Sequence, residues 1–181
     1  MARFTSALID SESPTEGSSG FNALRDSPKL PVVIRMADTG DSGLIYSSWL
    51  KAHSGQNKDQ PYAILKKAHG DVVAKILENS LTVIAAQEDQ TDQIFAWACG
   101  MRTKNNKLVM HYCYTKAPFR ALGLARLLLN TFEYKPGEAI YCSHRSYIFN
   151  DLKKSYNLFY VPHLQDPDNV EKLESGEWSL G

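Results

Sequence analysis

The stretch Leu108 to Phe132, LVMHYCYTKAPFRALGLARLLLNTF, constrains the fold more than any other part of the chain. Leu108 to Thr115 mixes β-branched, aromatic and other apolar residues with a leaning toward alternation, which predicts a largely buried strand. Pro118 ends the ladder because it has no N–H to donate. From Gly123 onward, Leu124, Leu127, Leu128 and Phe132 fall on the stripe of an amphipathic helix. A helix start leaves N–H groups unpaired and carries the positive end of the macrodipole, so the cations Lys116 and Arg120 just before it complete an anion seat. Gly123 lets a phosphate approach without a Cβ in the way. The same residues also read as an ordinary strand-to-helix turn. The GK[ST] of a P-loop and the three glycines of a dinucleotide fold are both absent.

A chain of 181 residues is long enough for one well-buried core and short for two. Its 20 basic and 20 acidic residues cancel, so no global field argues for nucleic acid or a membrane as partner. No apolar run approaches a bilayer span and the N-terminus has no signal-like apolar core, which predicts a soluble, cytoplasmic protein. Cys99, Cys113 and Cys142 form no CxxC pair and lie in apolar segments, as reduced cysteines packed like small hydrophobes do; a cysteine acyl carrier is the other reading. No metal-ligand spacing occurs.

Residues 1–30 hold SESPTEGSSG and few large apolar side chains, so they are expected to form a flexible arm ahead of a single domain over 31–181. The domain opens with a strand over Val32 to Ala37 and a helix from Asp41 to Ala52. After the polar loop His53 to Gln60, a second helical region runs from Pro61 to Asn79, with a break expected at Gly70. Leu81 to Gln87 and Ile94 to Met101 are strands that join Leu108 to Thr115 in an antiparallel meander. Lys135-Pro136-Gly137 stops the central helix, and Glu138 to Ser143 is a fifth strand reached by a crossover. A last helix over Ser146 to Tyr156 and a sixth strand over Leu158 to Val161 follow, and Gln165 to Gly181 is an acidic end that Trp178 is expected to anchor. The fold class is α/β of the α+β type, a mixed, mostly antiparallel sheet flanked by helices in the order β-α-α-β-β-β-α-β-α-β.

Arg120, Gly123 and Ala125 match R/Q-x-x-G-x-G/A, set after a strand and opening a helix, and here the chain resembles the GNAT N-acetyltransferases. The opening strand, reading IR.A before a helix, and the element order resemble that family too. Ile45 to Leu50 is similar to short GNAT proteins of tailed phages, which implies a host cytoplasm. The resemblance implies transfer of an acetyl group from acetyl-CoA to an amine by direct attack. The turn Phe119, Arg120, Ala121, Leu122, Gly123, Leu124 and Ala125 would hold the pyrophosphate, and the pantetheine arm would lie in a gap beside the preceding strand. An N–H near Cys113, Tyr114 or Thr115 would receive the oxyanion.

The resemblance also implies that the first two helices cover the acceptor, which places Tyr46, Trp49, His53 and Tyr62 as substrate-binding residues; core packing is their other account. His111 and His144 are the candidate bases, His111 because it lies near the position where some GNATs carry a glutamate. The family pattern N-x-x-A-x-x-x-Y-x-x-x-G-[FY] is broken: with Asn157 as a left-handed cap in the glycine place, Lys153 and Ser146 fall at the tyrosine and asparagine places. Tyr156 as acid and Asn150 toward the pantetheine are the offset substitutes. That departure, with the long arm, supports a second reading, a GNAT-fold module that has lost catalysis and acts through protein contacts. The acceptor is a small-molecule or protein amine, and a homodimer or a protein partner on the arm is left open.

Overall fold

The computed structural model describes residues 31–56, 61–146 and 148–177; the arm over residues 1–30 and Trp178 lie outside them. The elements are β1 (Val32–Met36), α1 (Ser42–Gln56), α2 (Tyr62–Asn79), β2 (Leu81–Gln87), β3 (Ile94–Arg102), β4 (Leu108–Thr115), α3 (Leu124–Asn130), β5 (Ala139–Cys142), α4 (Phe149–Leu152), β6 (Asn157–Tyr160) and α5 (Pro167–Ser175). One six-stranded sheet holds the strands in sequence order. β1 to β4 pair antiparallel, and β4, β5 and β6 run parallel. The fold class and element order are those expected, with α5 added.

Each layer follows from its residues. β3 is buried on both faces from Ile94 to Gly100, as a central strand covered on both sides must be. Leu124, Leu128 and Leu129 of α3 close one face over Phe95, Met110 and Ile140. Ile45 and Trp49 of α1, with Val73 and Ile76 of α2, close the other over Ile84 and Trp97. α5 covers the end of that second face, packing Val170 and Leu173 on Val109. Arg35 at the end of β1 grips Asp41 through two hydrogen bonds of 2.6 and 2.7 Å, and Asp41 also accepts from the Asp38 N–H. Those Arg35 bonds hold the Asp41 carboxyl below the usual carboxylate range and fix where α1 begins.

Three expectations are corrected. α2 runs unbroken through Gly70, because a helix tolerates one glycine at a cost of about 1 kcal/mol and Leu65, Val73 and Ile76 anchor it on both sides. The last helix is one turn, Phe149–Leu152, rather than Ser146 to Tyr156; only Phe149 of that turn is buried, so no apolar stripe extends it. Asn157 starts β6 instead of capping a helix.

β4 carries the feature that positions the site. Tyr112 lies opposite Cys99 and Met110 opposite Gly100, so His111 is an extra residue, a β-bulge. Before it Leu108 and Met110 face α3; beyond it Tyr112 and Tyr114 pack on the α1 and α2 side. Gly100 makes this possible, since a Cβ there would lie 2.6 Å from both the Val109 carbonyl oxygen and the Met110 Sδ. Gly100→Ala is therefore expected to destabilise the fold by about 1–3 kcal/mol through overpacking. Denaturant unfolding checks this, and an unchanged midpoint would show that β4 can shift to accept the methyl.

Candidate active site

β4 and β5 stay paired only from Leu108–Ile140 to Met110–Cys142. The Ser143 N–H donates to the Met110 carbonyl at 3.2 Å, and β4 then continues to Thr115 without β5 beside it. The Lys116 N–H donates to the Phe95 carbonyl at 2.9 Å, which fixes the phase of the β3–β4 ladder. By alternation the main-chain groups of Cys113 and Thr115 then point away from β3, into the split. The Arg120 Nε reaches the Thr115 carbonyl at 3.3 Å, across the mouth of that split.

The turn at the mouth bends through two left-handed residues, Ala121 at φ 63° and Gly123 at φ 77°. Gly123 caps α3, and its carbonyl accepts from the Leu127 N–H at 3.0 Å. Arg120, Ala121 and Leu122 are exposed, Leu124 is buried in the core and Ala125 is half-buried. Phe119 packs on Phe95 with ring centroids 4.4 Å apart. The seven cofactor-turn residues expected from the sequence thus sit beside the split.

Four histidines gather on the opposite face of the sheet, at the apex of the split. The His111 Nδ1 lies 2.8 Å from the Ser143 Oγ, which lies 2.9 Å from the His144 Nδ1. His144 meets Trp49 edge-on at 5.0 Å and His69 at 5.1 Å between centroids, and His69 stacks on His53 at 3.6 Å. Ser143 has one proton for two neighbours, so its hydroxyl donates to one imidazole and accepts from the other. A proton arriving at either end can move along by an exchange of tautomers.

Burial sets the charge state of this row. It pushes His111 down to about 4, pushes His69 to about 4 with help from His53, and pushes His144 to about 2 with help from the other three histidines. His53 is lowered by burial as well. At neutral pH the row is uncharged. Among the described residues no group of three or more His, Cys, Asp or Glu side chains is placed to hold a metal ion.

The structure brings together Trp49, His53, His111 and His144, and sets Cys113 and Thr115 at the split. Tyr46 and Tyr114 pack in the core cluster on the same face as Trp49. Tyr62 is 54% exposed at the start of α2 and joins no core cluster. Tyr156 lies in the turn before β6 and packs on Tyr134, at the α3 face. Its neighbour Asn157 pairs with Ala139, the first residue of β5, whereas the split opens past the last, so Tyr156 stands about 10 Å along the strand from the apex. Asn150 is exposed and accepts from Arg145. Cys99 and Cys142 are buried and pushed up to about 12, so they are inert thiols, and Cys113 is exposed rather than packed away as expected. The protein packed around Cys113 raises its pKa, opposite to the lowering that a reactive thiolate needs. Sequence reasoning missed Ser143 and His69. The signal for His69 was its place between Leu65 and Val73 on the buried stripe of α2.

No family model and no curated protein matches the chain. Solved structures similar to it include several named as acetyltransferases and one named as a transcriptional regulator. A GNAT-family acetyltransferase from Staphylococcus aureus is 14% identical, with a TM-score of 0.36 over 56% of this chain and 63% of that one. A GNAT family N-acetyltransferase from Escherichia coli in complex with CoA is 16% identical, with a TM-score of 0.39 over 59% of this chain and 57% of that one. A predicted acetyltransferase from Clostridium acetobutylicum with acetyl-CoA is 18% identical, with a TM-score of 0.39 over 82% of this chain and 90% of that one. The chain thus spans less than two thirds of the Staphylococcus and Escherichia proteins.

The depressed histidines give stability a pH dependence. Their folded pKa values lie below the unfolded value of about 6.5, so the unfolded chain binds more protons between the two. Stability is complete above about pH 6.5 and falls as pH drops toward 4, by up to about 1.4 kcal/mol per pH unit for each histidine. Guanidinium midpoints at pH 7, 6 and 5 should decline in that order, and a flat series would mean that the histidines titrate normally in the folded protein.

Proposed function

We propose that the protein is an acyltransferase of the GNAT type that moves an acetyl group from acetyl-CoA to an amine. The observation that carries this reading is the parting of two parallel strands, β4 and β5, directly beside a cationic turn with two left-handed residues. An extended pantetheine arm needs free main-chain partners along one strand, and the main-chain groups of Cys113 and the Thr115 N–H are aimed into the split, the Thr115 carbonyl being held by Arg120. A pyrophosphate needs N–H groups and cations, and the Arg120 to Leu124 turn offers both. Among the described residues, Arg120, Ala121 and Leu122 of that turn are exposed.

In the reaction the amine gives up its extra proton and its nitrogen bonds to the thioester carbonyl carbon. The Cys113 N–H receives the oxyanion as charge develops there. The C–S bond then breaks, and the CoA thiolate takes up the proton that the attacking nitrogen loses as it becomes an amide. His111 is the group at the apex that accepts the amine's proton, and Ser143 holds its ring through Nδ1. A neutral imidazole is the required starting state, and burial supplies it. Tyr156 has no place in this scheme because it packs on Tyr134.

The one-turn α4 and the displaced Tyr156 favour a second reading, a module of this fold that has lost catalysis. Titration calorimetry with acetyl-CoA separates the two. Micromolar binding is expected, weakened about tenfold or more by Arg120→Glu and by Gly123→Val, the latter because a β-branched residue is strained at positive φ. Absence of acetyl-CoA binding by the intact protein would leave the second reading.

A further inference from the structure

We infer that a cavity on the far side of His111 from the cofactor turn is a binding site for a compact primary alkylammonium, the acceptor end of a short diamine or of a lysine side chain. Its use as the acceptor site rests on the acyl-transfer reading; the binding itself does not. The cavity holds about 240 Å³ between the end of α2, β3 and α5. Ile76 and Val170 supply apolar wall, His111 and Gln165 line it, and Glu171 and Glu174 stand at α5.

His111 is 3% exposed and commits its Nδ1 to Ser143, so Nε2 is the nitrogen left for whatever occupies the cavity. A buried imidazole whose ring lines a cavity is a hydrogen-bond partner held ready for a ligand. The bulge in β4 turns the ring to this side, and Gln165 donates to the Ser143 carbonyl at 2.9 Å, so the cavity abuts the apex of the split.

The charges select the ligand. Glu174 is taken: its carboxylate accepts the Lys104 N–H at 3.0 Å and pairs with the Lys104 ammonium at 3.2 Å. Glu171 is exposed and has no ion-pair partner among the described residues. A ligand that fits carries a cation for Glu171, methylenes for Ile76 and Val170, and an N–H for His111. The neutral ring does not repel a cation. At about 30 Å³ per water the cavity holds roughly eight waters' worth of ligand, enough for butane-1,4-diamine.

The test is an NMR titration of the full-length protein, without cofactor, following the His111 ring protons. Butane-1,4-diamine should shift them saturably, butan-1-ol should not, and Glu171→Lys, a change at an exposed position, should weaken the diamine about tenfold. A short peptide with one lysine, titrated in parallel, tells a free diamine from a chain-borne one by which binds more tightly. No His111 shift with either amine, an equal shift with butan-1-ol, or unchanged affinity in Glu171→Lys would overturn the inference. Because no cofactor is present, these outcomes are separate from a failure to bind acetyl-CoA. Acetyl transfer to the diamine should lose about tenfold in kcat/KM in Glu171→Lys while acetyl-CoA affinity stays unchanged.

Discussion

The close approach of Gly100 to the Val109 carbonyl is the contact on which the site depends. A regular β4 would send Leu108, Met110, Tyr112 and Tyr114 to one face, since side chains alternate with period two. The α3 face would then take two tyrosines, and Trp49 would lose the ring stacked on it at 5.1 Å. The extra residue at His111 reverses the parity halfway along. One strand therefore serves two cores, its first half packed under α3 and its second half under α1. The reversal falls where β5 departs, so the same irregularity that repartitions the cores turns His111 toward α2 and α5.

A second constraint holds α3 in place behind the turn. Arg102 from β3 donates to the carbonyls of Phe132 and Glu133 at 2.9 Å and pairs with Glu138 at 2.7 Å. A helix of seven residues is too short to be stable by itself. The carbonyls of Phe132 and Glu133, just past its end, are held by a guanidinium from the sheet, and its buried leucines fix its roll. The start of α3 is thereby set relative to β4.

The strands were legible because their signal is burial on a pleat. β2 and β4 match the expected bounds, and every residue from Ile94 to Gly100 is buried, as the apolar run in the sequence implies. The bulge was not legible, because no residue in HYC marks it and the determinant is a glycine on the neighbouring strand. The last helix was overread: FNDLKKSY has helix formers, but only Phe149 is buried. α5 was underread as an acidic end, although Asp166 caps it, Pro167 opens it, and Val170 and Leu173 sit three apart on its buried side. Of the candidate site, the turn from Phe119 to Ala125 stands out in the sequence as a motif, whereas the histidine row joins α1, α2, β4 and the end of β5 and has no local signature.

The shortened α4 and the added α5 are two sides of one rearrangement. A long last helix would lay side chains over the α3 face of the split; here one turn anchored by Phe149 does that packing and leaves Tyr156 against Tyr134. The chain length so released continues through Pro162 to Gln165, where Leu164 is buried, and into α5 on the opposite face. Gln165 takes the Ser143 carbonyl and Asn105 donates to the Leu173 carbonyl at 2.8 Å, fixing α5 at both ends. The polar groups near the apex thus come from the C-terminal segment and a histidine row. Ser143 joins His111 to His144 by hydrogen bonds of 2.8 and 2.9 Å, so its one hydroxyl proton couples the tautomers of the two buried rings.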